Sequence, residues 1–200
     1  MITTSHNTWA IGFDLDGTLV ESFQSEPLPA VLEHLAVLKQ RSNLRLFVVS
    51  NQAGPVYHAM FAGSAKFPTC DQLAERIADA ATRLGLLDVP WFVATWHGNS
   101  RIYDQPHEIV GAWAKASGEV ADQLKFEIQR RLPDLALHVS GSPHWRKPEW
   151  GMLEQAAWLL GVSAVSMIFV GDMETDKEAA IEYGAVYVDA EQWRSGEVVL

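Results

Sequence analysis

Trp9-Ala10-Ile11-Gly12-Phe13-Asp14-Leu15-Asp16-Gly17-Thr18-Leu19 is the stretch on which the fold turns. Its first half, Trp9 to Phe13, is a short apolar run, the mark of a strand buried on both faces. The run ends at Asp14, and two carboxylates two residues apart then meet Gly17. In open α/β sheets, ligands gather outside the carboxyl ends of the strands, where Asp14 and Asp16 fall. There the pair can converge on one divalent cation, which turns mutual repulsion into attraction. One carboxylate is then able to attack phosphorus while the other moves a proton. The bland alternative is an Asp-rich turn with a helix cap.

Outward from this stretch, apolar runs alternate with helix-length amphipathic segments. Leu28 to Arg41 carries a helical stripe of Val31, Leu32, Leu35 and Leu38. Leu44 to Val49 reads as a second strand ending at Ser50. Thr69 to Leu84 reads as a helix, with Thr69 or Asp71 as cap and Leu73, Ile77 and Leu84 inward. Trp91 to Thr95 is a third strand. A Gly-, Asn- and Pro-containing stretch, Gly98 to Gly118, precedes a helix near Glu119–Arg131 and a strand at Leu135–Val139. Pro148–Leu160 and Thr175–Tyr183 read as helices, Ser166–Val170 and Ala185–Val188 as strands. Strands separated by helices predict an α/β fold: a Rossmann-like, doubly wound, mainly parallel sheet with right-handed crossovers.

Three further clusters close predicted elements. Ser50-Asn51-Gln52 puts a hydroxyl at a strand end, where it can meet a phosphate oxygen. In Trp145-Arg146-Lys147-Pro148, Lys147 suits a point charge on a phosphoryl group and Arg146 a bidentate contact. Gly171-Asp172-Met173-Glu174-Thr175-Asp176 repeats the strand-then-carboxylate pattern, with Asp172 placed as a cation ligand. Asp176 can brace Asp172 or Lys147, or serve only as a dipole partner at a helix start.

Composition narrows the field. The 200 residues carry 15 Lys+Arg against 25 Asp+Glu, a net charge of −10 that disfavours non-specific nucleic-acid binding. The lone Cys70 excludes a disulfide framework or a cysteine zinc site within one chain. Met1 to Thr8 shows no secretory pattern, and no apolar run approaches the roughly 18–20 residues of a membrane span. The expectation is a cytoplasmic protein of one domain, residues 1–200.

In this order, the four clusters resemble the haloacid dehalogenase (HAD) superfamily of phosphotransferases: Asp14-Leu-Asp-Gly-Thr-Leu its first motif, Ser50 its second, Lys147 its third, and Gly171 to Asp176 its fourth. Ser-Asn-Gln with Arg-Lys-Pro further resembles the subfamily III A group that holds heptose-bisphosphate, histidinol-phosphate and polynucleotide 3′-phosphatases. The resemblance implies Asp14 as a nucleophile that becomes an aspartyl phosphate and Asp16 as general acid and base. It implies Ser50, Asn51 and Arg146 on the substrate, Lys147 stabilising the phosphoryl group, and Asp176 in support. Mg²⁺ would be held by Asp14, the Asp16 backbone carbonyl and Asp172. An acid at position 16 is the pattern of the family's phosphatases, so phosphomonoester hydrolysis is implied, on a sugar or polyol phosphate. The alternatives are a polynucleotide 3′-phosphatase and a catalytically idle scaffold.

The stretch between Asp14 and Ser50 has room for a flap and a helix, not a large cap. Between Ser50 and Lys147 the chain is longer than a minimal core needs, which predicts a small insertion over the site at about 98–143. Heptose-bisphosphate phosphatases often carry a Cys/His zinc loop before Arg-Lys-Pro; here Asp104-Gln105-Pro106-His107 stands without cysteine, so zinc is not expected. Trp145 and Trp150 flank the two cations and are expected to line a substrate pocket. His97, His107 and His144 are weaker candidates for substrate contact.

Overall fold

The computed structural model describes residues 8–61, 63–96 and 106–200. Among them, six parallel strands form one sheet in the order β4-β3-β2-β1-β5-β6. They are β1 (Trp9–Asp14), β2 (Leu44–Asn51), β3 (Trp91–Ala94), β4 (Leu137–Ser140), β5 (Met167–Gly171) and β6 (Val186–Asp189). The central strand β1 pairs on both sides, Phe13 lying opposite Val48 of β2 and Val170 of β5. The chain winds outward from β1 to β4, then returns to the other flank of β1. That reversal puts a topological switch point between β1 and β5, the place where such sheets open a crevice.

Alternation along β1 sets the two layers. Ile11 and Phe13 face the larger core, with α1 (Val31–Lys39), α3 (Cys70–Arg83), α4 (His107–Arg131) and α7 (Ala190–Ser195). Ala10 faces the smaller core, with α5 (Gly151–Leu160) and α6 (Glu174–Tyr183). On that side the buried Phe47 ring lies so close to Gly12 that a Cβ there would overlap it. The doubly wound α/β expectation holds.

Several boundaries differ from the expected ones. In α1 the inward residues are Val31, Leu35 and Leu38, whereas Leu32 is exposed. Thr69 caps α3 through a reciprocal box: its Oγ1 accepts from the Gln72 amide (3.2 Å), and its own N–H donates to Gln72 Oε1 (2.9 Å). Two short helices carried no periodic signal, α2 (Gly54–Met60) and α7. Asp189 starts α7 by accepting from the Glu191 and Gln192 amides at 2.9 and 3.1 Å. The ring of Trp193 then packs 4.9 Å from Phe13.

The largest difference is α4, a helix of 25 residues that begins at His107 rather than near Glu119. Gly111 and Gly118 do not stop it, although neither is held in place by a close neighbour. Each glycine costs a helix about 1 kcal/mol. Burying Val120, Leu124 and Ile128 returns about 1.5–3 kcal/mol apiece. Of the expected insertion at about 98–143, residues 107–140 thus supply the β3-to-β4 crossover, packed on α3 and α2, and the edge strand. His97 and residues 98–105, including Asp104 and Gln105, lie outside the described residues. No helix among the described residues is long and apolar enough to cross a membrane.

A helix that belongs to the core must resist truncation. Leu124→Ala is expected to lower unfolding stability by about 2–5 kcal/mol, and Phe126→Ala, exposed on the same helix, by less than about 0.5 kcal/mol. Urea denaturation of the two variants measures the contrast.

Candidate active site

The carboxyl ends of β1, β2 and β5 bring the predicted residues to one crevice. Asp14 is the last residue of β1, Ser50 stands near the end of β2, and Asp172 follows β5. Asp176 lies in the first turn of α6, where its Oδ2 accepts from the Met173 amide (3.0 Å) and closes the helix start. The close turn after β5 requires glycine at position 171, since a Cβ there would strike the Asp176 side chain. Gly17 answers a similar need: its φ is +79°, and a Cβ would overlap the Asp172 carboxylate.

Lys147 is the centre. Its Nζ lies 2.5 Å from Asp14 Oδ1 and 2.5 Å from Asp176 Oδ1, with all three side chains at least nine-tenths buried. Burial works against the Lys147 charge, but Asp14 and Asp176 outweigh it and hold the ammonium above its usual range. Asp14 is governed by burial, which raises its carboxyl to about 7 although Lys147 pulls it down; Asp176 adds to the rise. Burial and Asp176 also raise Asp172, which accepts from Thr18 Oγ1 at 3.3 Å.

Oxygens of Asp14, Asp172 and Asp176 all lie within 4.8 Å of one another. With Lys147 among them, three carboxylates face one ammonium, and the deficit is two positive charges. An all-oxygen donor set with that deficit suits a hard divalent cation such as Mg²⁺.

Asp16 lies apart from this cluster. Arg76 of α3 grips it with two bonds, Nη1 to Oδ1 at 2.5 Å and Nη2 to Oδ2 at 3.2 Å. Gln52 Nε2 donates to Oδ2 (2.6 Å), and the Phe23 amide donates to Oδ1 (2.9 Å). Burial raises the Asp16 pKa, but these bonds and the Arg76 charge overcome it and leave the carboxyl below the usual range. Arg76 also donates to Gln52 Oε1 (2.9 Å), which fixes the amide orientation because a guanidinium cannot accept. Gln52 Nε2 therefore donates to Ser50 Oγ (2.8 Å), and the Ser50 hydroxyl keeps its own hydrogen for another acceptor.

Asn51, expected to contact substrate, lines the cavity beside Asp16. Its amide makes a reciprocal pair with the Lys147 backbone, both bonds at 3.1 Å, and so holds the lysine loop against β2. Arg146 donates to the Trp96 carbonyl (3.2 Å) and has no carboxylate partner among the described residues. It lines a cavity of about 670 Å³ together with Asp16, Asn51, Gln52, Tyr57, Lys66, Phe67 and Arg76.

The aromatic expectation needs correction. Trp145 and Trp150 are not among the residues lining this cavity. Trp145 packs on the smaller core, 6.2 Å from Phe92, and Trp150 lies between His144 and Tyr183. The cavity's aromatic lining is Phe23, Tyr57 and Phe67, the last two stacked 4.8 Å apart. His107 is exposed; His144 lies near Glu149 and Glu154. Sequence reasoning passed over Arg76, Lys66, Tyr57 and Phe67. It also missed Arg194, which braces the loop after β1 by donating to the Gly17 and Thr18 carbonyls at 2.9 and 3.0 Å. Gln52 alone had a signal: two residues beyond Ser50 on extended chain, it points the same way.

Residues 144–188 match the family model described as HAD-hydrolase-like. Over 125 residues the chain is 27% identical to a D-glycero-D-manno-heptose-1,7-bisphosphate 7-phosphatase from Thermosynechococcus vestitus. That match takes in 56% of this chain and 63% of the relative, so it spans less than two thirds of the relative's length. A HAD-like phosphatase candidate from Mesorhizobium loti, covering 90% of this chain and 70% of its own, superposes with a TM-score of 0.55 at 18% identity, a likeness of fold. This chain resembles the haloacid dehalogenase superfamily. D,D-heptose 1,7-bisphosphate phosphatase from B. bronchiseptica, solved with magnesium and phosphate, gives a TM-score of 0.45 at 16% identity, over 96% of this chain and 88% of that one.

In this site the buried lysine is the electrostatic keystone. Lys147→Met leaves two buried carboxylates without their cation and is expected to cost about 3–5 kcal/mol of stability in chelator-treated buffer. Lys177→Met, which removes an exposed pair with Glu174, is expected to cost at most about 1 kcal/mol. Denaturant unfolding of both variants compares them.

Proposed function

We propose that this chain is a Mg²⁺-dependent phosphomonoester hydrolase, one domain over residues 1–200, acting in the cytoplasm on a small phosphorylated metabolite. A sugar or polyol phosphate is the substrate class favoured, in keeping with the heptose-bisphosphate phosphatase it resembles. The observation that carries the reading is the buried Asp14–Lys147–Asp176 array at the switch point, beside Asp172 and Ser50.

In this reading Asp14 attacks phosphorus: a carboxylate O–P bond forms as the bond from phosphorus to the leaving oxygen breaks. Asp16 gives that oxygen its proton. A water then attacks the aspartyl phosphate, losing a proton to Asp16, and Asp14 is regenerated as inorganic phosphate departs. Ser50 donates its free hydroxyl hydrogen to a phosphoryl oxygen, and Lys147 offsets the charge on the transferring group. Asp14, the Asp16 backbone carbonyl and Asp172 would hold Mg²⁺, which would supply neutralisation of phosphoryl charge. The cavity beside Asp16, about 670 Å³, is of the size that takes a sugar-sized leaving group. The net charge of −10 weighs against a polynucleotide substrate.

Release of phosphate from p-nitrophenyl phosphate and from a sugar-phosphate panel is expected to need Mg²⁺ and to stop with EDTA. Asp14→Asn is expected to lower kcat by at least about 10³-fold. Full activity in that variant would overturn the mechanism, and faster turnover of a 3′-phosphorylated oligonucleotide than of any sugar phosphate would overturn the substrate class.

A further inference from the structure

An ionised carboxylate has about four lone-pair sites. At Asp16 all four are taken: Oδ1 by Arg76 Nη1 and the Phe23 amide, Oδ2 by Arg76 Nη2 and Gln52 Nε2. A carboxylate so bound has no site left for a proton, whether to give or to take. For Asp16 to serve a leaving group or a water, one donor must first withdraw. The Phe23 amide is main chain, and Gln52 is tied to Ser50 as well as to Arg76. Arg76 holds two of the four sites and lines the cavity itself, so it is the donor that a ligand can capture.

The walls of that cavity indicate what the ligand carries. Apart from Asp16, its charged lining is Lys66, Arg76 and Arg146, all cationic. Asp16 offsets one of the three positive charges. Arg146 is largely buried with its guanidinium given only to the Trp96 carbonyl among the described residues, and Lys66 lies over the Phe67 ring, 5.8 Å from its centre. A neutral polyol cannot compete for a guanidinium held by a carboxylate; a second phosphate or a carboxylate can, because it offers the same bidentate, charge-assisted pairing.

We propose that Arg76 is a latch on Asp16 that is opened by a second acidic group on the substrate, so that the protein selects phosphomonoesters whose leaving portion is itself anionic. Such a substrate draws Arg76 towards the cations of the cavity wall and frees Asp16 for the leaving oxygen. The inference rests on the phosphatase reading and deepens it. In that setting Arg76 is a specificity residue that acts on the chemistry through Asp16.

Matched substrates test it. Fructose 1,6-bisphosphate is set against fructose 6-phosphate for a second phosphate, and 3-phosphoglycerate against glycerol 3-phosphate for a carboxylate. The native protein is expected to favour the acid-bearing member of at least one pair by about tenfold or more in kcat/KM, and the pair that shows it identifies the acid. In Arg76→Met the preference is expected to collapse from both sides: KM rises for the acid-bearing substrate, and kcat rises for the neutral one because Asp16 is no longer held. A parallel fall on both members would mark Arg76 as merely structural and overturn the latch, as would equal use of both members by the native protein. Calorimetric binding of the same pairs to Asp14→Asn, with and without Arg76→Met, gives a readout free of turnover; equal affinities there also overturn the latch. Absence of Mg²⁺-dependent phosphate release from all four substrates, in the native protein and in Arg76→Met alike, would instead sink the phosphatase reading, whatever the binding contrast shows.

Discussion

Two carboxylates and one ammonium, Asp14, Asp176 and Lys147, are buried together at the switch point of the sheet, and the rest of the site depends on that array. Desolvating charges is costly, by several kcal/mol per ion, and is tolerable only where each finds a partner in good geometry. Lys147 meets both acids at once, and the Asn51 amide holds its backbone in place from β2. The array ties β1, the lysine loop and α6 together, elements far apart along the chain. The doubly wound sheet then brings Asp172 to the same point from β5. A site of this kind is organised before any ligand arrives, which is what electrostatic stabilisation of a transferring phosphoryl group demands.

Beside this array lies a second network of different character. Arg76, Asp16, Gln52 and Ser50 form a hydrogen-bonded chain on the cavity side of the crevice. The first network is deeply buried and joins strand ends; the second is partly open, with Arg76 and Asp16 side chains 14% and 23% exposed. Burial gives the first its permanence, whereas access gives the second its capacity to exchange partners. The division fits the proposed mechanism, in which Asp14 stays fixed as nucleophile while Asp16 answers to what enters the cavity.

Much of the fold was legible because its signals are local. Apolar runs such as Leu44 to Val49 mark strands buried on both faces, and the stripe of Leu73 and Ile77 marks α3. Where tertiary packing overrode a local signal, the reading failed. Gly111 and Gly118 suggested a loop, yet α4 runs through both because its buried face packs on α3. Leu32 looked apolar and inward but lies at the edge of its helix's packed face. Trp145 and Trp150 flank Lys147 in sequence, and neighbours along a chain need not share its direction; neither lines the cavity.

By itself the sequence determined the sheet's strand ends and the acids that close them, because a buried strand followed by Asp, Leu, Asp and Gly has few other uses. It also placed Ser50, Lys147, Asp172 and Asp176 in an order that the parallel sheet could bring to one edge. Only the tertiary structure decided which charges meet. Arg76 stands 60 residues from Asp16, and no periodicity or motif couples a polar position on α3 to the end of β1. Pairing at that range is set by how α3 docks across the sheet, and docking is decided by the summed packing of its apolar face, not by the arginine itself.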